Sequence, residues 1–238
     1  MVMMRTAIYS IIMMCMYIQP SLAKTYLVSV GIADYPGKVN DLRISDRDAR
    51  TIAGVFRSSN GAQVRLLQNS QATTNAVVQS MHSSFDNARA DDTVILYFSG
   101  HGVPGALMCY NGPLYYKNIY SMLRNCCARR KIVLVDACFS GKIRNNRRHS
   151  ENDNAQDVLF FLSSRTGEPS RETKYQNSLF TLYLDRGLRG GADTNRNKTI
   201  TAIELYNYVH SGVIKDSQGK QHPVMWGNFD RNMSIIRW

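Results

Sequence analysis

The sequence predicts an α/β domain, a mostly parallel sheet covered by helices on both faces. Three observations carry this. Residues 26–32, 93–98 and 131–135 are nearly continuous runs of Val, Ile, Leu, Tyr and Phe, as strands buried on both faces require. The intervening segments space their apolar residues for helices. Strands that alternate with helices are joined by crossovers, which set neighbouring strands parallel.

Each element has its own local reason. Ala49, Ile52, Ala53 and Phe56 recur at helical spacing behind Asp46 and Asp48, whose carboxylates favour a helix N-terminus. Val77, Val78, Met81 and Phe85 form a second apolar face behind Thr73 and Thr74. Residues 64–67 and 158–162 read as further strands, and 179–188 and 202–209 as helices. The last of these opens on Thr201 with Glu204 three residues on, a capping box. Residues 108–112 predict a hairpin, because Asn111-Gly112 favours a turn matching strand twist. The charged stretch 142–157 reads as a surface loop.

The chain has 238 residues, 44% hydrophobic and 20% charged, which suits one globular domain and excludes a disordered or collagen-like chain. Residues 1–23 have the layout of a secretory signal peptide: Arg5, an apolar stretch over 7–18, then Pro20-Ser21-Leu22-Ala23 before a cut ahead of Lys24. The apolar stretch is short for a membrane span, which leaves an uncleaved N-terminal anchor as the lesser reading. The expectation is an exported domain over 24–238, periplasmic or secreted, with no stable membrane insertion once the leader is removed. Removing Arg5 and no acid takes the formal charge from +11 to +10. Such a surface can attract acidic polymers. No motif specifies nucleic acid, so the charge reads as solubilising.

Two segments end strands in the same manner, Tyr97-Phe98-Ser99-Gly100-His101-Gly102 and Val135-Asp136-Ala137-Cys138-Phe139-Ser140-Gly141. Residues just beyond the carboxyl ends of parallel strands meet in one crevice, so His101 and Cys138 are candidate partners there. A thiolate attacks a carbonyl; an imidazole protonates the leaving amine and then activates water. Gly100, Gly102 and Ala137 let a substrate backbone approach and leave amides free for an oxyanion.

With these segments the chain resembles the caspase-like peptidases, which include caspases, metacaspases, paracaspases and bacterial relatives. The likeness runs from about Lys24 to the C-terminus, through Val30-Gly31-Ile32, Asn177-Ser178-Leu179-Phe180-Thr181, and Ala192-Asp193-Thr194-Asn195 to Glu204-Leu205. It implies a three-layer α/β/α sandwich and a Cys138–His101 dyad. The amides of Gly102 and Cys138 would form the oxyanion hole, and the substrate would be a protein or peptide.

The likeness also implies a specificity pocket. Asp136 precedes Cys138 by two residues, and the segment 42–49 is similar to the metacaspase stretch that supplies a second acid, so Ser45, Asp48, Ser99 and Asp136 are the expected substrate-binding residues. Two carboxylates in a closed pocket favour a guanidinium or ammonium, hence cleavage after Arg or Lys. Asp46 competes with Asp48 for this role.

Asp193, Asn195, Asn197 and Glu204 match oxygen positions of a calcium loop, but Lys198 stands where that loop needs Gly. The stretch reads as a turn and helix cap. No cofactor is expected to be required and no metal site is assigned; calcium is the lesser reading. Arg144, Arg147 and Arg148 in the loop after Cys138 would suit self-processing by an enzyme that cuts after basic residues, against the plainer reading of a solvated charge run. Four cysteines remain after leader removal, and a link from Cys109 to Cys126 or Cys127 is open. Other readings are a catalytically dormant scaffold of the same fold and a basic surface protein that binds acidic polymers. Oligomeric state is not legible.

Overall fold

A computed structural model describes residues 23–59, 61–137, 158–165 and 177–238. The expected leader and the 142–157 loop lie outside these residues, save for Ala23.

Six strands form the main sheet: β1 (Thr25–Gly31), β2 (Ala62–Gln68), β3 (Thr93–Ser99), β7 (Arg130–Asp136), β8 (Val158–Leu162) and β10 (Val224–Asn228), in the order β10-β8-β7-β3-β1-β2. All neighbours are parallel except β10, which runs antiparallel to β8 at one edge. β3 is buried at all seven positions, as its unbroken apolar run requires.

Strand side chains alternate between two cores. Tyr26, Val28, Val30, Val94, Leu96 and Phe98 pack on one face with helices α2 (Thr74–Phe85) and α3 (Tyr116–Asn125). Leu27, Ile95, Tyr97, Ile132 and Leu134 pack on the other with α1 (Ser45–Arg57), α4 (Leu179–Arg186) and α5 (Ala202–Asp216). The result is the expected three-layer sandwich.

A second antiparallel sheet, β4 (Gly102–Val103), β5 (Ala106–Cys109) and β6 (Gly112–Tyr115), follows β3 directly. The expected hairpin is present, but its turn sits one residue earlier than the Asn-Gly signal implies. Cys109 pairs with Gly112, leaving Tyr110 and Asn111 as the turn. The Asn111 side chain instead accepts the Thr74 N–H, tying the turn to α2. A short pair, β9 (Thr199–Thr201) with β11 (Ser234–Arg237), completes the fold.

Gly31 sets where α1 sits. A Cβ there would lie 2.2 Å from the Ser45 carbonyl oxygen and 2.5 Å from the Ala49 Cβ, so only a bare backbone lets the helix start directly over the strand end.

Candidate active site

Register brings three strand ends level: Gly31 pairs with Ser99, and Ser99 with Asp136. The Gly100 N–H then donates to the Asp136 carbonyl at 3.2 Å. His101 leaves β3 immediately beyond this row, and Gly102 enters β4 paired with Leu107.

The His101 ring is fixed from the β1–α1 connection. Its Nε2 lies 2.7 Å from the Asn40 carbonyl oxygen. A carbonyl only accepts, so in the neutral ring Nε2 carries the hydrogen and Nδ1 keeps its lone pair. A base at Nδ1 is the state that proton transfer from a thiol requires.

Below the row lies a buried acid pair. Asp48, in the first turn of α1, is wholly inaccessible, and its carboxylate accepts Ser99 Oγ–H at 3.0 Å, Asn177 Nδ2–H at 2.9 Å and the Ser178 N–H at 3.0 Å. Asp136 is 4% exposed and accepts the hydroxyls of Ser178 and, at 2.9 Å, Thr181. Since Thr181 spends its proton on Asp136, the Tyr97 hydroxyl 2.5 Å away donates to Thr181. Burial and then the Asp136 charge push the Asp48 carboxyl up to about 7, against the pull of its three donors. Burial, reinforced by the two acids, holds the Tyr97 phenol well above its ordinary range, so it remains a donor.

Three of the four expected pocket residues, Asp48, Ser99 and Asp136, are thus gathered into one cluster. Ser45 is buried at the start of α1, with its carbonyl over Gly31. The competitor Asp46 is set apart, partly exposed and 4.0 Å from Arg50. Cys138 lies outside the described residues; the described chain reaches Ala137, buried just past β7.

A family model of the caspase domain matches residues 25–233. The chain belongs to the caspase-domain family. Its fold is shared by a crystal structure of a protein from Geobacter sulfurreducens, at 17% identity and TM-score 0.69, covering 90% of this chain and 97% of that one. It is shared equally by caspase-1 from Spodoptera frugiperda, at 16% identity and TM-score 0.69, covering 88% of each chain. No curated protein sequence matches it. Family membership implies cysteine peptidase chemistry on protein substrates.

Several residues of the cluster carry no role in the reading from sequence. In the sequence Asn177 and Ser178 stand out only as part of a likeness, although Ser178 caps α4 by accepting the Thr181 N–H at 3.3 Å. Tyr97 read as a strand residue. Asn40 acts through its backbone, which no side-chain pattern reveals.

The 193–204 loop is held by its own groups. Asp193 accepts the amides of Asn197 and Lys198, and Glu204 accepts from Thr194, Asn195 and Thr201. Burial works against the charged form of Glu204, but the Thr201 hydroxyl and amide, with Thr194, hold its carboxyl below the ordinary range. Among the described residues, no group of three or more His, Cys, Asp or Glu is placed to hold a metal ion. Cys109, Cys126 and Cys127 are free, so the link considered from sequence is not formed. Burial pushes the Cys109 thiol up to about 12, marking it as inert. Among the described residues, no helix is long and apolar enough to cross a membrane.

Proposed function

We propose that the protein is an exported cysteine endopeptidase that cuts after Arg or Lys, with Cys138 as nucleophile and His101 as acid and base. The Cys138 thiolate attacks the scissile carbonyl carbon and forms a C–S bond, while the amides of Gly102 and Cys138 stabilise the oxyanion. Collapse breaks the C–N bond as the His101 imidazolium gives its proton to the leaving amine. Water, deprotonated by His101, then cleaves the thioester and restores the thiol.

The observation that carries this reading is the buried pairing of Asp48 with Asp136 beneath the His101 strand end. Burying two carboxylates together is costly unless a cation or proton compensates. An arginine or lysine side chain entering from the crevice supplies that cation and displaces the Asp48 proton.

The test is hydrolysis of fluorogenic peptides ending in Arg, Lys or Asp by the full chain under reducing conditions, with and without calcium, beside Cys138→Ala. Cleavage after Arg or Lys that vanishes in the variant supports the proposal. Cleavage after Asp refutes the pocket, and no cleavage under any condition favours a zymogen or the dormant scaffold.

A further inference from the structure

The β1–α1 connection grips His101 at both ends, and only one of those contacts is made by a backbone atom of the loop. At the ring, the Asn40 carbonyl takes Nε2. At the main chain, the His101 N–H donates to the Tyr35 hydroxyl at 3.0 Å, and that hydroxyl donates onward to the Met108 carbonyl at 2.9 Å. The Met108 N–H returns to the His101 carbonyl at 2.9 Å, so one phenol oxygen closes the gap between the strand end and β5. The Tyr35 ring also lies against the imidazole, with centroids 4.9 Å apart and planes tilted by 47°.

Tyr35 is itself held independently of His101. Its N–H donates to Asp41 Oδ1 at 3.1 Å, and the neighbouring amides of Ala33 and Asp34 donate to Asn69 Oδ1 at 2.9 and 3.2 Å. Leu42 N–H closes the loop on the Ala33 carbonyl at 2.7 Å. Gly100 leaves room for the phenol, since a Cβ there would come within 2.6 Å of its oxygen. Burial raises the phenol far above its ordinary range, keeping its proton available to Met108.

We propose that Tyr35 is a positioning residue for His101, setting the backbone and ring orientation from which the imidazole exchanges protons. The inference rests on the peptidase reading for its kinetic consequence, but not for its structural one. A small rotation of the His101 main chain moves the ring against a target beyond β7, and misplacement of about 1 Å costs on the order of a hundredfold in rate.

Tyr35→Phe keeps the ring and removes both hydroxyl contacts, whereas Tyr35→Leu removes the ring as well. In the full chain, Tyr35→Phe is expected to lower kcat about tenfold, the worth of a lost hydrogen bond in the positioned state, with KM changed by less than about twofold. Tyr35→Leu is expected to lower kcat about a hundredfold. The nitrogen NMR spectrum of His101 supplies a readout independent of turnover. Tyr35→Leu should replace the single Nε2–H pattern by a mixture of tautomers, and Tyr35→Phe should retain more of it. Wild-type kcat in both folded variants overturns the proposal, as does a loss that only tracks the folded fraction in thermal melts. If the wild type cleaves no peptide, the peptidase reading fails by itself and the tautomer spectrum decides: an unchanged pattern in both variants overturns the positioning role.

Discussion

Asp48 and Asp136 are joined through a single residue: Ser178 gives its N–H to the first and its hydroxyl to the second. The bridge places the N-terminus of α4 against two carboxylates, where the helix dipole also favours negative charge. It explains how two acids coexist in a region with almost no access to water.

Binding of a basic side chain should therefore be coupled to proton release. With the Asp48 carboxyl at about 7, an uncleavable Arg peptide should bind Cys138→Ala roughly tenfold more tightly per pH unit on rising toward neutrality, then level off. Calorimetry in buffers of different ionisation heat should find a proton released below that point. Asp48→Asn should bind at least about tenfold more weakly and without this pH dependence, since a charge-assisted hydrogen bond is lost. A flat profile in Cys138→Ala would sink the pocket assignment.

The same carboxyl leaves a mark on stability. Its folded value of about 7 exceeds the ordinary 3.8, so between these values the folded chain holds more protons than the unfolded one. The stability this carboxyl contributes is fully present below about pH 4 and is lost as pH rises through about 7. Urea midpoints at pH 4.5 and 7.5 should differ less in Asp48→Asn than in the wild type; an equal difference would show that Asp48 is not buried as an uncompensated acid.

Thr181→Val tests the other acid. It removes one donor to Asp136 and the acceptor for Tyr97, both buried, for an expected loss of about 1–3 kcal/mol of unfolding free energy. Peptide selectivity for Arg over Lys should change as well, because the Asp136 carboxylate would lose one of the donors that orient it. A neutral effect on both would show that the hydroxyl chain is incidental.

If residues 1–23 are a leader, the protein recovered from outside the cytoplasm should begin at Lys24 by mass spectrometry. An intact Met1 terminus on exported protein would instead mark an anchor.

Local sequence signals reached far into the fold. The strands read as 131–135 and 158–162 fall within or on β7 and β8, and the capping box at Thr201 and Glu204 opens α5. The elements left unread differ in the strength of their local patterns. β10, Val-Met-Trp-Gly-Asn, is a half-buried edge strand containing Gly227 at φ 135°, and nothing local distinguishes it from a loop. α3 did carry a signal, with Tyr116, Ile119, Met122 and Leu123 at helical spacing, all buried.

The sequence by itself determined the layered α/β architecture, the two strand-end segments bearing His101 and Cys138, and the candidate acids, because periodicity and motif spacing are local properties of the chain. Only the tertiary structure decided which groups meet. It set Asp48 rather than Asp46 within reach of Ser178, 130 residues away, and set Tyr35 under a histidine 66 residues distant. Those contacts depend on strand register and on the close seat of α1 over Gly31. A buried donor takes whichever acceptor the packing brings within reach, and no spacing along the chain encodes that choice.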